Sequence, residues 1–447
     1  MEAPRTRYAR SGDAYIAYQV VGDGPVDILL IPHFYQHLEL WWEDRHRAGL
    51  VRELAEHARV ILFDKRGTGM SERTGGVPPF DVQMDDMRAV LDAVGSERAV
   101  LWAGGDGTPM TLLFAATFPK RVIGLVLWNP YPTILRKPDM PWLMTRSEFD
   151  EAADQVARDL EDPMPPGLRQ GLPSVGTDEE LRTYWRVSRL GTSRGDSIAF
   201  AKVLVEADVR HVLPTIRVPT LVLSNEANAD QHATFRYVAE KIPTARLAIL
   251  PGRDGPMFVG DTRRTVAEVQ AFVDEVRTSE PEEPDRILAT VLFTDIVGST
   301  ATSVRLGDAA WRELLRAHHA RVRRELARFR GRELDTAGDG FFAMFDGPAR
   351  AIRCACAIRD SVRELGIEIR AGLHAGECEL LDEKVTGIAV AIGARVAATA
   401  EPGTVIVSST VKDLVAGSGL RFADRGTVEL NGVPGAWQLF VVEGESR

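Results

Sequence analysis

The chain has 447 residues, 45% hydrophobic and 26% charged, an ordinary balance for a globular protein and more length than one compact core uses. A net charge of −10, from 54 basic against 64 acidic residues with no Lys/Arg run interleaved with aromatics, argues against nucleic acid as a partner. No window carries the ~18 consecutive apolar residues of a membrane span, and residues 1–13 lack a secretory pattern, so the expected location is the cytoplasm.

In the first 276 residues, apolar runs at 27–31, 60–63, 99–102, 122–128, 220–223 and 246–250 alternate with helical patterns such as 84–94. This alternation predicts an α/β domain with a parallel sheet covered by helices on both faces. Between about 132 and 214 the strand signals give way to helical, Pro-broken segments, an expected cap over the C-terminal ends of the strands. Residues 277–286, RTSEPEEPDR, hold two prolines, four acidic residues and no apolar side chain, the composition of a linker. Beyond it, from 287 to 447, β runs at 287–295 and 340–345 flank an amphipathic helix over 308–329. A second helix over 348–364 leads to a strand at 367–374, which gives a βαββαβ-like, α+β order. Cys354, Cys356 and Cys378 suit neither a disulfide framework nor a zinc site and are expected as buried thiols.

The segment DKRGTGMS at 64–71 resembles the D-x-R-G-x-G-x-S turn of the α/β-hydrolase family, a likeness that extends over nearly all of residues 8–276. Gly67 and Gly69 allow positive φ there, and Asp64 and Arg66 are expected to tie the loop by a charged hydrogen bond. The family's nucleophile elbow, G-x-S-x-G, falls on AGGDG at 103–107 and places Gly105 where the nucleophile belongs. In LPGRDG at 250–255 the position of the general base holds Gly255, and the position of the acid falls on Asn228, with Asp230 as the neighbouring alternative. The resemblance therefore implies a hydrolase scaffold with a degenerate triad, acting as a sensor or scaffold. An elbow shifted by one residue leaves Asp106 as a carboxylate nucleophile, the remaining route to hydrolysis. Trp41, Trp42, Trp128, Tyr131 and Trp142 either wall a pocket for a small apolar ligand or fill the core.

FTDIVGST at 293–300, GDGFF at 338–342, AGLHAGE at 371–377 and residues 387–400 resemble class III nucleotide cyclases over about 287–442. The resemblance implies a ferredoxin-like palm in which Asp295, Asp339 and the backbone carbonyl of Ile296 hold Mg2+ or Mn2+. Gly298, Ser299 and Thr300 would receive phosphate oxygens at a helix start, or serve only as a structural cap. Arg395 takes the family's transition-state position, while Ala391 stands where the family has an asparagine. Asp335 and Lys384 occupy the base-selecting positions with their charges exchanged relative to adenine-selective members; the Asp335 carboxylate can accept from adenine or guanine, so the choice is open, with ATP favoured by family precedent. The activity implied is conversion of ATP to 3′,5′-cyclic AMP and pyrophosphate at a homodimer interface. A regulatory pseudoenzyme that binds without turnover is the alternative, and a hydrolase the lesser one.

Overall fold

The protein is described by a computed structural model covering residues 3–278, 286–381 and 384–445. These residues sort into two compact units, one made of residues 3–78 and 82–278 and the other of residues 286–381 and 384–445 together with 79–81. Of the expected linker 277–286, residues 279–285 lie outside the described residues. Among the described residues no helix is long and apolar enough to cross a membrane.

The first unit is built on β1 (Arg7–Ser11), β2 (Ala14–Val21), β3 (Asp27–Ile31), β4 (Arg59–Phe63), β5 (Ala99–Gly104), β6 (Val122–Trp128), β7 (Thr220–Asn225) and β8 (Ala245–Leu250), in sheet order β1-β2-β4-β3-β5-β6-β7-β8. From β4 to β8 every pairing is parallel, while β1 and β2 add an antiparallel edge that the sequence did not announce. β5 is buried at all six positions, which a parallel strand tolerates only when helices cover both faces. On one face, Leu50, Val51 and Leu54 from the helix Arg45–Ala55 and Val266, Val269 and Phe272 from the helix Thr262–Thr278 pack with Ile28, Val60, Val100 and Trp102. Strand order reverses about β3, which runs parallel to both β4 and β5. Such a switch point opens a crevice at the C-terminal strand ends, where ligand sites of open α/β sheets lie.

Between β6 and β7 the chain forms the helices Arg146–Asp159, Leu168–Gly171, Asp178–Gly191 and Arg194–Glu206, in the region expected to be a cap. Two of them start at full capping boxes, Thr145 with Glu148 and Thr177 with Glu180, which satisfy otherwise unpaired N–H groups at both helix starts.

The second unit holds β9 (Arg286–Ile296), β10 (Arg332–Ala337), β11 (Gly340–Phe345), β12 (Ile369–Leu381), β13 (Lys384–Thr386), β14 (Val405–Ser408), β15 (Leu420–Glu429) and β16 (Ala436–Glu445). The order β10-β11-β9-β12, with helices Ser299–Arg328 and Pro348–Arg363 in the βαββαβ sequence, is the ferredoxin-like arrangement; β14, β16 and β15 extend it beyond β12. The first of these helices begins at Ser299, well before the expected residue 308, and is broken at Gly307 (φ 75°, ψ 162°). The helix Ile388–Ala398 lies directly on the sheet: a Cβ at Gly372 of β12 would stand 2.2 Å from the Ala397 nitrogen, and one at Gly393 would stand 2.6 Å from Val291. Cys354 and Cys378 are buried and Cys356 is half-buried; burial pushes the Cys354 and Cys378 thiols up to about 12, so both stay protonated.

Candidate functional site

In the second unit, β9 lies between β11 and β12, with Thr294 opposite Phe341 and Asp295 opposite Arg370. The β10–β11 hairpin turns at Gly338 and Asp339, and Gly338 at φ 65° supplies the positive φ that a two-residue turn needs at its first position. This geometry brings Asp339 to the end of β9, where its Oδ2 accepts the Ile296 N–H at 3.2 Å. Burial of the Asp339 carboxyl raises its pKa, the Asp295 carboxylate beside it adds to the rise, and hydrogen bonds from backbone and Ser299 oppose it. Gly298 at φ 63° precedes the helix starting at Ser299, so Ser299 and Thr300 sit in its first turn, and the Ser299 side chain hydrogen-bonds Asp339.

Among the described residues no group of three or more His, Cys, Asp or Glu side chains converges on one point. Two adjacent carboxylates are oxygen donors of the kind a hard cation takes while keeping waters and substrate phosphates as its other ligands, so Asp295 and Asp339 fit Mg2+ or Mn2+. Arg370, which no local motif marks, places Nη2 2.6 Å and Nε 3.2 Å from Asp295 Oδ2. Both side chains are 40% exposed, so the pair is worth at most ~1 kcal/mol and an incoming cation can displace it.

Asp295 and Arg370 line a cavity of about 300 Å³ together with Asp335, Ala397 and the stacked rings of Phe293 and Phe342, whose centroids are 4.5 Å apart. A shift in register between Glu333 and Asp335 in β10 precedes Asp335, a bulge of the kind that re-aims a side chain. Lys384, exposed on β13, is not among the lining residues; nor is Arg395, exposed on the helix that contributes Ala394, Ala397 and Ala398. Ala391 is exposed on that same helix. The structure thus brings together Asp295, Ile296, Asp339 and Ser299, and separately Asp295, Asp335 and Arg370, but does not gather Lys384 or Arg395 into this cavity.

In the first unit, β5 ends in the turn Gly105–Gly107, and Gly105 has φ 48°, the strained apex of a strand-to-helix elbow. His33, in the loop after β3, fills the space over it: a Cβ on Gly105 would lie 3.1 Å from His33 Cε1. The next residue, Asp106, is held rather than presented. Its carboxylate meets His33 Nδ1 at 2.5 Å, accepts the Phe34 N–H at 2.8 Å and lies 3.4 Å from Lys65 Nζ. Burial alone would raise the Asp106 carboxyl, but Lys65, His33 and the Phe34 N–H outweigh it and hold its pKa well below the usual carboxylate range. The cap helix Arg194–Glu206 closes over this cluster, with Ser197 2.9 Å from the Tyr35 hydroxyl and Phe200 stacked on Phe34 at 4.1 Å. No local sequence pattern marks His33 or Lys65 as partners of Asp106.

Gly255 and Asn228 do lie together: the Asn228 side-chain nitrogen donates to the Gly255 carbonyl at 3.4 Å and to Asn225 Oδ1 at 2.7 Å. The DKRG turn differs from expectation. Arg66 pairs with Asp86 at 2.6 Å rather than with Asp64, whose buried carboxyl accepts the Leu38 and Met70 N–H groups and is pushed up to about 7 by burial. Of the two expectations for the aromatic residues, pocket wall or core, the core describes Trp41 and Trp128. Trp42 donates to Gln19, and Trp142 donates to Thr234 from an exposed position.

A hydrolase-type scaffold in front and a nucleotide-cyclase palm behind are the classes that these folds and sites define. The family matches agree: residues 28–246 match the alpha/beta hydrolase fold and residues 282–444 match the Adenylate and Guanylate cyclase catalytic domain, in that order along the chain. The Bifunctional esterase/perhydrolase DCH of Acinetobacter calcoaceticus is 24% identical over 265 residues, 56% of this chain and 93% of that one. The Rhizobium meliloti (strain 1021) protein named "Putative adenylate cyclase 3" is 29% identical over 158 residues, 33% of this chain, which thus spans only 27% of that relative. Among solved structures, the esterase RhEst1 from Rhodococcus sp. ECU1013 covers 61% of this chain and 99% of its own at 23% identity and TM-score 0.50, a likeness of fold.

Proposed function

We propose that the second unit, about residues 287–447, is a metal-dependent nucleotide cyclase that converts ATP to 3′,5′-cyclic AMP and pyrophosphate. The observation that carries this reading is the meeting of Asp295 and Asp339 at one corner of the palm, beside a cavity lined by Arg370 and Asp335. Asp295, Asp339 and the Ile296 backbone would hold the cation. When bound, Mg2+ or Mn2+ supplies neutralisation of the triphosphate and acidification of the ribose 3′-hydroxyl. The first turn at Ser299 and Thr300 offers N–H groups to phosphate oxygens, and Arg370, released from Asp295, is a further cation for them. The 3′-oxygen then bonds to the α-phosphorus as the bond to pyrophosphate breaks, with Arg395 balancing the added charge. Arg395 lies outside the cavity that holds Asp295, which supports a homodimer in which each chain completes the other's site. Asp335 accepts hydrogen bonds from a base amino group and permits GTP as well as ATP; Lys384 takes the second base-selecting position.

We assign the first unit, about residues 1–276, to ligand sensing without hydrolysis, because Gly105 carries no nucleophile and His33 fills its space. A regulatory pseudoenzyme is the second reading, favoured by Ala391 in place of the ribose-orienting asparagine. The deciding experiment is cyclic nucleotide formation by the full-length protein with Mn2+ or Mg2+, ATP and GTP offered separately and Asp339→Ala as the blank. Product above that blank is expected; bound nucleotide with no product establishes the pseudoenzyme instead.

A further inference from the structure

The Gly338–Asp339 turn is the tip of a two-stranded hairpin, a place where backbone carbonyls are ordinarily left to solvent. Here both are taken by consecutive histidines of the helix Ser299–Arg328. His318 Nε2 lies 3.2 Å from the Asp339 carbonyl, and His319 Nε2 lies 3.0 Å from the Gly338 carbonyl. A carbonyl only accepts, so each Nε2 carries the hydrogen and donates it. His318 is fully buried, and among the described residues nothing hydrogen-bonds its Nδ1. A buried polar atom without a partner is a cost that apolar packing alone would avoid, so the donating Nε2 is the reason an imidazole stands there. Both rings also meet the Phe341 ring edge-on, with centroids 5.8 and 5.1 Å away, which fixes the strand that leaves the turn.

We propose that His318 and His319 are positioning residues for the metal-binding carboxylate: by clamping the two carbonyls of the turn they fix where Asp339 stands relative to Asp295. The inference rests on the cyclase reading above and adds to it a hydrogen-bonded layer behind the carboxylate. Without the clamp the hairpin tip rocks, and binding a cation must first order it. Loss of such supporting partners typically weakens metal affinity about 10- to 100-fold.

The test uses full-length protein and Mn2+ alone, with binding followed by the electron paramagnetic resonance of free Mn2+, and then Mn2+-dependent turnover. His318→Leu and His319→Leu remove the donor; His318→Gln and His319→Gln keep an N–H. Both leucine variants are expected to raise the Mn2+ dissociation constant and half-saturation by about tenfold or more. The nucleotide KM at saturating Mn2+ should change far less, and glutamine should restore most of the loss. Because His318 is buried and its replacement can unsettle the fold, the half-exposed His319 is the decisive position. Wild-type Mn2+ affinity in His319→Leu overturns the proposal, as does a loss that glutamine does not repair. Mn2+ binding that Asp339→Ala abolishes while His319→Leu leaves it intact refutes the clamp and keeps the cyclase; no Mn2+ binding by the wild type refutes both.

Discussion

The two units handle carboxylates at comparable turns in opposite ways. At the β5 elbow, Asp106 is engaged by His33, Lys65 and the Phe34 N–H, so its charge is compensated from within the chain and it has nothing left to offer a substrate. At the β10–β11 hairpin, Asp339 stands beside the Asp295 carboxylate, and burial and that like charge push its pKa up against the hydrogen bonds from Ser299 and the backbone. Carboxylates compensated within the chain are candidates for structural support, and those gathered beside like charge are candidates for ligand binding.

Replacing a carboxylate of the Asp295–Asp339 pair should have the largest effect. Asp295→Ala is expected to lower cyclic nucleotide formation by at least ~10²-fold, a loss comparable to removing one transition-state donor. It should leave thermal unfolding nearly unchanged, because the Arg370 partner is half-exposed. A smaller drop, with wild-type dependence on Mn2+, would remove Asp295 from the site. Arg395→Ala should cost ~10²-fold in kcat while Mn2+ half-saturation stays put. Mixing that variant with Asp295→Ala should recover activity if each chain completes the other's site, and no recovery on mixing would argue against shared sites.

At the elbow the expected effect is on stability. Asp106→Asn leaves the buried Lys65 facing a neutral partner and should cost about 2 kcal/mol near pH 7. The sign follows from a pKa held low in the folded state: the stabilisation is present above the unfolded value of about 4 and is lost as pH falls. The unfolding curves of wild type and variant should therefore converge on acidification below about pH 4; a constant gap would mean that Asp106 contributes shape rather than charge. The smallest effect expected is none: Gly105→Ser should not hydrolyse p-nitrophenyl acetate above the uncatalysed rate, since its Cβ would be 3.1 Å from His33 and Gly255 supplies no base. Measurable hydrolysis there would show that the elbow keeps more of its chemistry than its contacts suggest.

Much of the architecture was legible because the central strands are continuous apolar runs. β3, β5 and β6 are buried on both faces, and their residues say so without context. β1, RYARS, and β10, RELDTA, are edge strands with polar, half-exposed residues, and nothing in their composition separates them from loops. The helix before Gly307 was missed because a glycine at positive φ interrupts the apolar period that marks the rest. Asp295 and Asp339 could be found because each sits in a local motif. Arg370, His33 and Lys65 could not: their partners lie 75, 73 and 41 residues away, and no local spacing encodes a pairing that only the sheet brings about. His318 and His319 sit in a helix whose pattern explains them as packing, and only the two carbonyls beneath them reveal another use.

Gly372 lets β12 meet the helix Ile388–Ala398 without a gap, and Gly393 lets that helix meet Val291 and Phe293 of β9. Mechanically, the two elements form one stiff plate that carries Arg370 on its strand and Arg395 on its helix. Within a chain the two guanidinium groups therefore travel together, and spin labels on strand and helix should report one narrow distance distribution before and after nucleotide addition.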